Sequence, residues 1–121
     1  MMRVCVAICV MAFSGMASAA DLAGGYRAAC PTWGYSQLAA RYGADVAPIM
    51  AHVRQRYEIA LAVSAAPGAG GDSERYTWAY ATRGACGRAI GYLSMGEINH
   101  ERLWDCECYY SRMGGPAIAS R

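Results

Sequence analysis

The chain has 121 residues, of which 55% are hydrophobic and 17% charged, and a formal net charge of +2. That length fits one domain, for which about 100–150 residues is the commonest size, and leaves no room for a doubly wound sheet with a cofactor cleft or for a barrel enzyme. Disorder is excluded too, because it requires low hydrophobicity and high net charge.

Residues 1–19 read as an export signal. Arg3 supplies the positive charge, residues 4–16 form an uncharged apolar run, and Ala17-Ser18-Ala19 offers the small-x-small pattern cleaved by signal peptidase. The run of 13 residues is well short of the ~20 needed for a spanning helix. An uncleaved anchor is the alternative. Cys9 does not fit a lipoprotein signal, because apolar residues continue past it to Met11 and Phe13. The expected location is periplasmic or secreted, with no integral membrane segment after cleavage.

Loss of Arg3 leaves ten arginines against nine carboxylates, too even a balance for a nucleic-acid binder, which needs a basic patch. Mixed groups such as Arg54, Arg56 and Glu58, or Glu101, Arg102, Asp105 and Glu107, read as solvated helix faces. The chain has no lysine. That removes Schiff-base chemistry, the P-loop lysine and a Ser–Lys nucleophile pair.

After the signal, residues 20–31 read as extended, with Gly24-Gly25 and Cys30-Pro31 opposing helix. The helical domain is expected over 32–113. A first helix runs from a Thr32 cap to Tyr42, with Gly43 as its stop and Trp33, Leu38, Ala39 and Tyr42 on its apolar face. A second begins at a capping Asp45, with Pro48 tolerated in its first turn. Val46, Ile49, Met50, Val53, Tyr57, Ala60, Leu61 and Ser64 recur at helical spacing. The apolar run 59–63 predicts that this helix crosses the centre of the domain; a buried strand at 58–63 is the alternative. Pro67-Gly68 ends it, and 69–73 is a loop.

A third helix, capped by Asp72 or Ser73, carries Tyr76, Tyr80, Cys86, Ile90 and Leu93. Gly84, Gly87 and Gly91 form another stripe along it. Each glycine costs a helix about 1 kcal/mol relative to Ala. Close approach of a neighbouring helix is the predicted reason, with a break near Gly84 as the alternative. The last helix has a clear start, with Asn99 as cap, Glu101 at the positive dipole end and Ile98 with Leu103 as a staple pair. Gly114-Gly115-Pro116 stops it, and 114–121 reads as a flexible tail. The fold class is all-α, a small bundle of three to four helices with an antiparallel C-terminal hairpin.

Cys5 and Cys9 leave with the signal, so Cys30, Cys86, Cys106 and Cys108 remain. An even count in a short exported chain predicts two disulfides. Residues 106 and 108 lie about 200° apart around a helix and so serve different partners. With the hairpin turning near Gly96–Glu97, Cys86 is level with either one. Cys106 shares the apolar stripe of Leu103, Tyr110 and Met113, so the expected pairs are Cys86–Cys106 and Cys30–Cys108, with the swap as the alternative.

Chemistry has few footholds. If reduced, Cys106-x-Cys108 could hold Cu(I), with Met95, Met113 or His100 as soft partners, or serve as a thiol-redox pair. His100 lies near Glu101, Asp105 and Glu107 and could serve as the base of a small hydrolase. His52, between Ala51 and Val53, reads as a packed or surface residue. No G-x-S-x-G, H-x-x-x-H, C-x-x-C or G-x-G-x-x-G pattern occurs, and no cofactor is called for. The aromatics say more. Beyond residue 19 there are nine Tyr, three Trp and no Phe. Tyr, Trp and Arg are enriched at binding hot spots, and Trp104, Tyr109, Tyr110 and Arg112 group on the last helix. The alternative is that Tyr lines the edge of the core, ring inside and hydroxyl in water. The reading is a non-catalytic interaction protein of the binding, inhibitor, immunity or chaperone type. Its partner would be another protein or a small ligand.

Overall fold

Helix hairpins need close contact along their length, and in this chain alanines supply it. The computed structural model describes residues 28–66 and 73–114. Among the described residues, four helices are delimited: α1 (Gln37–Tyr42), α2 (Val46–Ala65), α3 (Ser73–Ser94) and α4 (His100–Arg112). The fold is all-helical. Helix α3 packs along both α2 and α4, while the short α1 lies across α2 and α4. The signal segment, residues 67–72 and the tail 115–121 lie outside the described residues. Of the segment 20–31, only its end is described: Ala28 and Ala29 are helical and Cys30 is buried.

The first helix begins later than the sequence predicts. Residues 31–34 form a turn in which Gly34 N–H donates to Pro31 O at 3.1 Å. Ser36, not Thr32, is the cap, its Oγ accepting from Ala39 N–H at 3.1 Å. Trp33 therefore leaves the helix face assigned to it and stands 84% exposed. Gly43, at φ 58°, ends α1 as expected.

Helix α2 is continuous through 58–63, which rules out the strand alternative. Asp45 precedes it but makes no capping hydrogen bond with its side chain. Its end follows from Pro67: the preceding residue is disfavoured in helical geometry, and Ala66 is extended. The buried positions are Ile49, Val53, Arg56 and Ala60. The run 59–63 does not cross the centre. Only Ala60 of that run is fully buried, and Leu61 and Ala62 are exposed.

Helix α3 is unbroken from Ser73 to Ser94, so the glycines do not interrupt it. Nor do they mark a close helix approach. A side chain added at Gly91 would meet nothing, one at Gly84 would meet only Arg88 of the same helix, and one at Gly87 would make ordinary contact with Tyr57. The buried seam of α3 is instead Ala79, Thr82, Ala85, Cys86, Ala89 and Leu93. The turn to α4 is a Schellman motif, with Gly96 at φ 77°, Gly96 N–H donating to Leu93 O and Glu97 N–H to Tyr92 O. Asn99 Oδ1 then accepts from Arg102 N–H at 3.1 Å, and Ile98 packs on the cluster that contains Leu103.

Both disulfides pair as the helix geometry predicts, Cys86–Cys106 across the α3–α4 hairpin and Cys30–Cys108 across 78 residues of chain. The first joins the main core of Leu38, Ile49, Val53, Ala89, Leu93 and Leu103. The second lies in a smaller cluster with Ala85 and Tyr109.

Candidate functional site

The four residues singled out on the last helix are each engaged with the rest of the chain. Trp104 is half-buried, and its indole N–H donates to Pro31 O at 2.6 Å. Arg112 is exposed and donates from Nη2 to Ala29 O at 3.1 Å. Tyr109 is buried against Trp78, with ring centroids 5.9 Å apart. Tyr110 is buried beneath the Arg56 guanidinium, which lies 5.5 Å from its ring centroid. The outer face of α4 thus acts as a clamp. Trp104, Cys108 and Arg112 recur at helical spacing and together hold residues 29–31.

That clamp presents aromatic groups of its own. The turn over 31–34 projects Trp33, 84% exposed, and Tyr35 beside it is 63% exposed. Three constraints fix the turn: the Cys30–Cys108 disulfide before it, the Trp104 indole packed where a side chain at Gly34 would be, and the Ser36 cap after it. None of residues 30–36 is charged. The sequence reading put Trp33 on a buried helix face and did not single out Tyr35. The signal that identifies them is the series Cys30-Pro31-Thr32-Trp33-Gly34-Tyr35-Ser36, in which turn formers flank aromatics next to a cysteine.

The charged residues read as solvated faces also divide differently. Arg56 is 6% exposed and Asp105 3%, with Asp105 paired to Arg102 at 3.5 Å. Glu107 is half-buried, and its Oε1 accepts from Leu38 N–H at 2.9 Å, which satisfies a free donor in the first turn of α1. Burial lowers the affinity of Arg56 for its proton, and the negative charge of Glu107, then Tyr110, acts in the opposite sense. The guanidinium stays cationic at ordinary pH. Arg56 lies on the same 49–53–56–60 spacing as the buried seam, and that register was the available sign of its burial.

Of the groups weighed for chemistry, Cys106 and Cys108 are both in disulfides, so neither offers a thiolate. Met113 is buried while Met95 is 73% exposed, and His100 is exposed at the first position of α4. His52 shares a hydrogen bond of 2.9 Å with Tyr42 through Nε2. Its affinity for a proton is lowered by burial, then by Arg56 and Arg41. Among the described residues, no group of three or more His, Cys, Asp or Glu is placed to hold a metal ion, and no helix is long and apolar enough to cross a membrane. The chain matches no family model, no curated protein and no solved structure.

Proposed function

We propose that this chain is an exported, non-catalytic interaction protein that binds another protein or a small ligand through an aromatic surface, with Trp33 and Tyr35 as the contacting groups and Trp104 and Arg112 as the residues that hold them in place. The observation that carries this reading is an exposed Trp–x–Tyr pair on a turn fixed at both ends. Large aromatic rings offer much contact area with few rotatable bonds. A turn already locked by a disulfide and an indole loses little further freedom on binding, so more of the contact energy appears as affinity. An oxidising compartment outside the cytoplasm accords with the two disulfides.

The test is capture by the full-length, oxidised protein against a Trp33→Ala/Tyr35→Ala variant. The reading expects a saturable ligand whose affinity falls at least tenfold in the variant, while thermal stability changes little. Equal binding by the two proteins would overturn the aromatic turn as the contact. A turnover activity that survives loss of both rings would favour an enzyme instead.

A further inference from the structure

From Arg75 to Ser94, helix α3 carries arginine and no carboxylate. Arg83 and Arg88 lie about 140° apart around its axis and flank the line from Tyr80 to Gly84, on the side opposite the buried seam. The Arg83 guanidinium lies over the Tyr80 ring, 4.9 Å from its centroid. The Arg88 guanidinium folds back toward Gly84, with Nη2 3.7 Å from the position a Cβ would take there. Both charges therefore end over adjacent turns of the helix. Among the described residues neither is in an ion pair, whereas Arg102 on α4 is matched by Asp105. The face is also open and partly apolar. Tyr80 is 55% and Met95 73% exposed, and no contact within the chain requires the glycines at 84 and 91 between them.

We infer that this outer face of α3 is a second docking surface, taking an acidic segment of a partner protein whose carboxylates meet Arg83 and Arg88 while an apolar side chain beside them covers Tyr80. Charge sets the class of partner, since a guanidinium donates two parallel hydrogen bonds to a carboxylate. Stacking on Tyr80 holds the Arg83 fork in place, so less side-chain freedom is lost on binding. Bare backbone at Gly84 and Gly91 lets the partner's chain come close. The number of charges narrows the class further. A nucleic acid or an anionic bilayer is held by several cations acting together. Here Arg83 and Arg88 stand beside an aromatic ring and a thioether, the residue types enriched at protein interfaces. The inference does not rest on the Trp33 turn, which α4 holds.

The test is a titration of the isotope-labelled, oxidised full-length protein with a synthetic peptide of Glu carrying Leu at every fourth position, followed by amide NMR shifts. Saturable shifts are expected at Tyr80, Arg83, Gly84 and Arg88, weakening as salt is added. Affinity should fall about tenfold in an Arg83→Gln/Arg88→Gln variant, with an unchanged melting temperature. No shift at these residues, equal affinity in the variant, or equal binding of the same peptide with Lys in place of Glu would each overturn the surface. Tighter binding of heparin or of phosphatidylglycerol vesicles than of the acidic peptide would also overturn it, in favour of a polyanion or a membrane. The Trp33→Ala/Tyr35→Ala variant is expected to bind the acidic peptide as the unaltered protein does, and a loss there would move the contact to the turn and overturn the assignment to α3. Should the double arginine variant fail to fold, the shifts of the unaltered protein with the Glu and Lys peptides still decide.

Discussion

The indole of Trp104 occupies the space that a side chain at Gly34 would take. A Cβ built there falls on Cε2, Cζ2 and Nε1 of the ring, far inside contact distance. Glycine at 34 and tryptophan at 104, 70 positions apart, are therefore one packing unit, and the hydrogen bond from the indole to Pro31 O locks it. Gly34→Ala is expected to destabilise the fold by about 1–3 kcal/mol, the usual cost of overpacking a filled site. In a urea-unfolding cycle, Trp104→Ala should relieve much of that cost, giving a non-additive pair. Additive losses would show that the two residues do not share the space.

The glycines of α3 predict the opposite sign. Gly84 and Gly91 are exposed in mid-helix with no neighbour that a methyl group would strike. Gly84→Ala and Gly91→Ala should each raise stability by up to about 1 kcal/mol. Gly96→Ala should lower it by about 1–2 kcal/mol, because φ is 77° in the Schellman turn. Thermal unfolding of the three variants checks the ordering.

Among the described residues, Ser36, Asp45 and Asn99 precede helices, and of these Ser36 and Asn99 make the capping hydrogen bond. Ser36→Ala and Asn99→Ala should each cost about 1 kcal/mol. Asp45→Ala should cost much less, since its carboxylate caps nothing. A comparable loss at Asp45 in chemical denaturation would contradict the described start of α2.

His52 makes stability depend on acidity. Its folded proton affinity is lowered from an ordinary pKa of 6.5 by burial and by Arg56 and Arg41. The unfolded chain then binds more protons in the window below 6.5, so His52's contribution is complete above that value and declines as pH falls through it toward the folded pKa. A His52→Gln variant lacks this term. The stability difference between the unaltered protein and the variant, followed from about pH 8 to pH 5, should shift against the unaltered protein on acidification. A constant difference would refute the shift.

The two disulfides close loops of very different length, with separations of 78 and 20 residues. On the chain-entropy model they stabilise by about 3 kcal/mol for the shorter loop and about 4.5 kcal/mol for the longer. Replacing Cys30 and Cys108 with Ser should therefore lower stability at least as much as replacing Cys86 and Cys106. It should also release the Trp33 turn, seen as faster proteolysis near residues 31–36. Thiol titration of the denatured, unreduced protein should find none of these four cysteines free.

Periodicity and capping residues were enough to read the helices at 46–65, 73–94 and 100–112, because spacing at 3.6 residues, an Asn cap and a glycine stop act locally. The disulfide pairing was also legible. Two cysteines two apart on a helix point opposite ways whatever surrounds them; the turn position leaves Cys86 level with either, and the apolar stripe of Leu103, Tyr110 and Met113 favours Cys106. The positions of Trp33, Arg56 and the α3 glycines were not legible in this way. Each depends on what a distant segment does: Trp104 and Cys108 hold residues 30–34 in a turn, the Arg56 guanidinium lies over the Tyr110 ring, and the buried seam of α3 falls on Ala79, Ala85 and Ala89 rather than on Gly84 and Gly91. Local sequence set the elements and the cross-links. Only the tertiary contacts decided which aromatic groups face solvent and which charges are buried, because burial is a property of the neighbours a side chain meets.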